Sequence, residues 1–324
     1  MTDPKQRKAA LLASAMMLLI AVPATITLWQ VKVAGTLKIP SSNPTPFGYT
    51  WSLLLFVVPG AVLGLWLVRR RDLVDQRRAA LWAAPFLIAQ GFALDLFFGA
   101  RFFIFPNRGA TLGWDVPVVG GHVPVEEFVF YAGGFLVVLL FYLWNDELWC
   151  SRYNDQNYSV GLQRSRRLLR FHKESFAVAI VMIAAAWLYK NTAGEPGWPA
   201  YFIFLVLVAL VPSIGFFAAV RPYVNWRAVS VTFFALLLVS LLWEATLAVP
   251  YGWWGYRMDA MAGLTVDAWA HLPVEAVLVW FAVTYSTVIW YEVFKIWQAS
   301  KQPAKVAFLN RGGRATRVGS PLVD

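Results

Sequence analysis

The sequence has little charge, one cysteine and few histidines. Of 324 residues only 14% are Asp, Glu, Lys or Arg, against 59% hydrophobic. Soluble domains carry about 25% charge with near-even apolar content, so an integral membrane protein is implied. Cys150 is the sole cysteine, which excludes an intramolecular disulfide and a cysteine-rich metal site. Three histidines, His122, His172 and His271, are too few for a histidine-rich iron desaturase centre, and no metal is expected. Acids are scarcer than bases, 18 against 28, for a net charge of +10. In a soluble chain that excess would suggest nucleic acid; here the basic residues flank apolar runs, so topology accounts for them and no nucleic-acid partner is expected.

Eight runs of about 20 residues, the length that crosses a bilayer core of roughly 30 Å, lie near 9–29, 51–68, 79–100, 124–144, 174–190, 200–220, 227–249 and 273–294. With the N-terminus inside, 22 Lys and Arg fall in inner segments and 6 in outer ones, the bias expected of cytoplasmic loops. The expected fold is an all-α polytopic bundle in the cell membrane, with about eight transmembrane helices and both termini cytoplasmic. Its first span reads as a retained anchor, lacking a small-residue cleavage site. Pro23, Pro59, Pro85 and Pro212 fall within spans, where they kink helices and leave room for a cavity. Most of the 17 tryptophans read as interfacial belts. Trp114, Trp243, Trp253, Trp254 and Trp269, with Tyr256, gather around a repeated motif where aromatic faces suit a polyene or a carbocation; the belt remains the simpler account of them too.

The repeated motif is Gly121-His122-Val123-Pro124-Val125-Glu126-Glu127-Phe128, echoed as Ala270-His271-Leu272-Pro273-Val274-Glu275-Ala276-Val277. Carried outward without a gap, the offset of 149 pairs Asp95 with Glu244, Arg108 with Arg257 and Tyr142 with Tyr291. The chain reads as two tandem repeats of four helices, 1–145 and 174–297, joined by a basic cytoplasmic linker, 146–173, and followed by a disordered basic tail, 298–324. An even number of spans in each half makes the repeats parallel, related by an axis along the membrane normal.

An acid within a span costs about 2.5–3.5 kcal/mol at the bilayer centre, so each one is a functional candidate. These are Asp95, Glu126, Glu127, Glu244 and Glu275. Pro followed by Glu also starts ordinary helices; His122 and His271, two residues before each proline, point beyond that. Burial favours a neutral acid at Asp95 or Glu244, whereas a helix N-terminus favours a carboxylate base at Glu126 or Glu275, oriented through His122 or His271. Trp114, Trp254, Tyr256, Trp269, Arg108 and Arg257 are the expected substrate contacts.

Pro124-Val125-Glu126-Glu127 at the outer start of a span, and Trp253-Trp254-Gly255-Tyr256 followed by Gly263 and Pro273-x-Glu275, resemble the Pro-x-Glu-Glu and Trp-x-Tyr, Gly, Pro-x-Glu motifs of the heterodimeric or fused lycopene cyclases. The resemblance covers roughly 95–142 and 244–291. It implies a non-redox isomerase of carotenoid biosynthesis, without a cofactor, acting on a lipophilic polyene in the bilayer. An acid protonates C2 of the terminal double bond, the C5–C6 double bond attacks the C1 cation, and a base removes a ring proton. Membrane lipids are the other partners, and homo-oligomerisation is left open. Two features depart from the family pattern: Ala276 stands where a second Glu is expected, and each half has four spans where a family domain has about three. The Gly-rich fingerprint of the flavoprotein cyclases is absent, as is the Asp-rich signature of phytoene synthases. The alternatives are a carotenoid 1,2-hydratase, in which water quenches the same cation, a transporter, against which the polar positions lie toward one face, and a haem protein with His122 and His271 as axial ligands.

Overall fold

Apolar runs of this length satisfy their own backbone as helices, the form a single segment takes in lipid. The computed structural model describes residues 45–154, 169–193, 196–269 and 271–309, and five single residues between Lys8 and Val22. Among the described residues seven helices are long and apolar enough to cross a membrane: α1 (Gly48–Arg69), α2 (Val74–Phe102), α3 (Val125–Trp149), α4 (Glu174–Thr192), α5 (Ala200–Val220), α6 (Trp226–Ala248) and α7 (Val274–Ala299). They match seven of the eight expected spans. The span expected near 9–29, Pro23, most of the linker and the end of the tail lie outside the described residues.

Three boundaries differ from expectation. Helix α2 begins at Val74, α3 runs on to Trp149 and α7 to Ala299. For α3 and α7, charged residues that read as loop continue the helix, because Asp146, Glu147 and Lys295 are buried against other helices. Lys295 thus lies inside the bundle, beyond the expected end of its span at 294. The tail also starts in order: α8 (Ala304–Leu309) follows α7, and the Phe308 ring sits 5.9 Å from Trp297 and 6.2 Å from Phe216.

Helices α3 and α7 form the centre. Helix α3 packs on α1, α2 and α6, and α7 on α2, α3, α5 and α6. Helix α4 touches α5 at the edge and exposes Ile180 and Val181, as a lipid-facing helix does.

The loops after α2 and α6 cross each other. Strand β1 (Phe103–Ile104) pairs antiparallel with Gly255–Tyr256. On either side Arg257 N–H donates to Phe102 O and Asn107 N–H to Gly252 O, both at 2.9 Å. These bonds correspond at a spacing of 150. Each loop continues through a 3₁₀ turn, Arg108–Ala110 or Met258–Ala260, into a hairpin, β2 (Asp115–Val118) with β3 (Gly121–Pro124) in one and Thr265–Val266 with Leu272–Pro273 in the other. After the hairpins the spacing returns to 149, as Pro124 and Pro273 precede α3 and α7. The ungapped offset is therefore corrected within the loops: Asn107 is the residue matched to Arg257, and Arg108 is matched to Met258.

Four turns of these helices widen to π geometry, at Asp95–Gly99, Asn145–Trp149, Val206–Leu210 and Glu244–Ala248. A π turn adds a residue and rotates the rest of the helix about its axis, and such turns concentrate at functional sites. Three of the four hold buried acids: Asp95, Asp146 with Glu147, and Glu244. The fourth leads into Pro212, whose missing N–H disturbs the helical ladder there.

Candidate active site

Beneath the crossed loops lies a narrow apolar cleft with a cavity volume of about 50 Å³. Its walls are Tyr49 of α1, Glu127, Phe130 and Tyr131 of α3, Tyr201 of α5, Trp243 and Glu244 of α6, and Trp280 of α7; Phe103, Trp254 and Tyr256 of the loops roof it. The rings interlock. Trp243 lies 4.5 Å from Trp254 and Tyr49 4.8 Å from Trp254, while Phe130 stands 5.4 Å from Trp243 and 5.9 Å from Trp280. The interfacial-belt expectation is corrected for Trp243, Trp253 and Trp254, all buried. It is met by Trp51 and Trp198, which stay exposed near span ends.

Two carboxyl groups reach this cleft, one from each half. Glu244 accepts from Trp280 Nε1–H at 3.1 Å and from the Tyr256 hydroxyl at 3.3 Å. Burial, and then the nearby Glu244 charge, holds the Tyr256 phenol well above its ordinary pKa, so it remains a donor. Glu127 accepts from the Tyr49 hydroxyl at 2.5 Å. Asp95 is fully buried near Glu127 and does not line the cleft. Neither Asp95 oxygen has a hydrogen-bond partner among the described residues. Glycine makes this packing possible. A Cβ at Gly91 would stand 2.7 Å from the Tyr131 ring, and one at Gly99 3.0 Å from Asp95 Oδ1.

The other expected site residues lie elsewhere. Glu126 Oε1 accepts from Leu112 N–H at 2.7 Å and Thr50 Oγ1–H at 2.6 Å, and Glu275 Oε1 from Ala262 N–H at 2.6 Å. Both tie a loop to the start of its helix and neither lines the cleft. His122 and His271 are exposed, and His271 Nδ1 meets Asp267 at 3.0 Å. Neither histidine orients a glutamate, and exposed imidazoles make no enclosed haem slot. Arg108 is paired with Asp115 at 2.5 Å, and Arg257 Nε–H donates to Ala100 O at 2.8 Å. Both arginines and His122 line a separate polar pocket at the surface. Trp114 is 71% exposed, and Trp269 is half-buried outside the cleft. Of the expected substrate contacts only Trp254 and Tyr256 face the cleft. No group of metal-ligating side chains occurs among the described residues.

No protein-family model, curated protein or solved structure matches the chain. The chemistry open to the site is read from its own geometry.

Sequence reasoning missed Tyr49, Tyr131, Tyr201 and Trp280. Trp280 carried a usable signal, since it lies five residues after Glu275 on the span that follows the repeated motif. Lys190 was also missed. It is buried at the end of α4 and donates to Met261 O at 2.5 Å and Met258 O at 3.3 Å, so it holds the turn from which Ala262 reaches Glu275. A carbonyl left unsatisfied in such a place costs about 1–3 kcal/mol. Lys190→Met is therefore expected to speed amide exchange across 257–262, read by mass spectrometry, with α7 unchanged; wild-type exchange there would refute the clamp.

The expectation that buried polar groups gather toward one face is corrected by a second cluster at the far ends of α3 and α7. Lys295 Nζ lies 3.2 Å from Glu292 Oε1 and 3.7 Å from Asp146 Oδ2, and the Tyr142 hydroxyl donates to Glu292 at 3.0 Å. All four are buried. Asp146, Glu292 and Lys295 were missed because their charges, next to a basic loop, resemble a span's solvated edge.

Proposed function

We propose that the chain is a membrane-embedded carotenoid cyclase of the lycopene-cyclase kind, closing the end group of a linear polyene by acid and base without redox change. One observation carries this reading: Glu127 and Glu244 enter one aromatic, apolar cleft from different halves. Burial of a polyene end there needs no cofactor. Proton delivery to C2 creates a cation at C1, ring faces stabilise positive charge, and attack by the C5–C6 double bond closes the ring. Loss of a ring proton returns the balance. Roofing by Phe103, Trp254 and Tyr256 keeps out water that would trap the cation.

The surroundings divide the roles. Two donors, Trp280 and Tyr256, steady negative charge on Glu244, so Glu244 is the base. Glu127 and Asp95 are buried near each other, and two such carboxyls keep one of them neutral more readily than they carry two charges. That pair is the acid. Glu126 and Glu275 then organise the loops, which revises the base role expected of them at a helix start.

In this reading the halves are copies of an ancestral unit, supported by the reciprocal loop bonds and by the matching positions of α1 to α3 and α5 to α7. In the same reading the end where Arg69 to Arg71, Arg77, Arg152 and Arg227 gather is the cytoplasmic one by the charge rule, which puts both termini inside. Glu127 and Tyr49 have no counterparts, since Ala276 and Trp198 occupy the matching places, so the chain holds one reaction centre. A carotenoid 1,2-hydratase would use the same first step with water as the quench. Expression in cells that accumulate lycopene, followed by pigment chromatography, tests both readings: a cyclic end group is the expected product, a tertiary alcohol would make the protein a hydratase, and unchanged lycopene beside membrane-inserted protein would defeat both.

A further inference from the structure

Four hydroxyl groups inside α5 and α6 are spent locally. Those of Ser213, Ser230, Ser240 and Thr246 each donate to the carbonyl four residues back, at 2.5–2.6 Å, the usual way a helix hides a hydroxyl from lipid. Helix α7 differs. Thr284 and Thr287 are buried, yet neither hydroxyl has a hydrogen-bond partner among the described residues. They share a stripe with Trp280, Tyr291 and Lys295, at spacings of 4, 3, 4 and 4 residues, the repeat that keeps side chains on one helix face. All five are buried.

Each end of the stripe meets acid. At one end Trp280 holds Glu244 in the cleft; at the other Lys295 bridges Glu292 and Asp146. Beside Asp146, Glu147 accepts from Gln76 and Asn154, both half-buried near the surface at the basic end. An indole N–H donates but cannot accept, so Trp280 only fixes Glu244, and Thr284 one turn on is the first group able to relay. Stripe neighbours stand roughly 5–6 Å apart, a gap that one water bridges with hydrogen bonds of about 2.8 Å.

We propose that α7 carries a hydrated proton path from the Asp146–Glu292–Lys295 cluster to Glu244, through which the cleft exchanges protons with the aqueous phase at the basic end and not through its roof. A proton leaving the Glu244 carboxyl passes along Thr284, Thr287 and Tyr291 with intervening waters; each oxygen accepts one proton and releases another, and the carboxylate is re-protonated by the reverse route. The path rests on the proposed function only in taking Glu244 as a proton-exchanging group.

The test moves the purified protein in lipid, acidified until Glu244 is protonated, from H₂O to D₂O and follows the infrared C=O stretch of protonated carboxyls, with Glu244→Gln assigning the band. Exchange of that band is expected to slow at least about tenfold in Thr284→Val/Thr287→Val, and to keep its wild-type rate in Ser240→Ala, whose hydroxyl is already spent on Leu236. Tyr291→Phe, which keeps the ring, is expected to slow it as well and serves if the double variant fails to fold. Unchanged rates in these variants overturn the path, as do equal slowing in Ser240→Ala and a spectrum with no Glu244-sensitive band. Sustained proton flux through wild-type protein in sealed liposomes overturns it too, because a path open at both ends is a transporter. The readout is exchange, so unchanged lycopene alongside hydroxyl-dependent exchange would sink only the enzyme reading.

Discussion

Glu244→Gln and Glu127→Gln, each made alone, are expected to lower ring formation by about 10²–10⁴-fold, the usual contribution of a placed general acid or base. Glutamine keeps the shape and the acceptor oxygen but cannot exchange a proton at catalytic speed. The informative comparison is with the neighbouring glutamates. Glu126 and Glu275 use one carboxylate oxygen to accept from loop N–H groups, and a glutamine carbonyl accepts equally, so Glu126→Gln and Glu275→Gln are expected to keep most activity. Of the two, Glu126→Gln is the more severe, because Thr50 also donates to Glu126. Product formed per amount of membrane-inserted protein is the measurement. A dead Glu126→Gln beside an active Glu127→Gln would move the chemistry out of the cleft and to the hairpin.

The second large effect concerns folding. Lys295 is the cation between Asp146 and Glu292, and its side chain is only 2% exposed. Removing one partner of such a buried group strands the other and costs about 3–5 kcal/mol. Lys295→Met is accordingly expected to unfold at a markedly lower temperature in detergent near neutral pH. The deficit shrinks as pH falls, because protonating Asp146 and Glu292 removes the stranded charge. The triple variant Lys295→Met/Asp146→Asn/Glu292→Gln is expected to regain most of the loss. A single variant as stable as wild type at neutral pH would mean that the cluster is neutral or wetter than its packing implies.

Much of the frame was legible from residue order. Runs of apolar side chains located all seven described spans to within a few residues, and acids inside those runs marked Asp95, Glu127 and Glu244. The errors share a cause. A window of hydropathy treats charge as a sign of water, so it ended α3 before Asp146 and α7 before Lys295, although both charges are paired inside the protein. The tryptophans failed for a related reason: an indole at an interface and one in a cleft look alike until it is known whether lipid or protein surrounds them.

The repeated motif shows the limit most plainly. Glu126 and Glu127 are adjacent, and at 3.6 residues per turn their side chains leave the helix about 100° apart. Composition and spacing alone settled that this is a multi-span helical protein with acids in its spans, because exclusion of apolar surface from water and closure of backbone hydrogen bonds depend on local sequence. Which of two neighbouring glutamates faces the cleft, and which only fastens a loop, was decided by the rotation of α3 against α1 and α6. That rotation is set by packing between residues far apart in the chain.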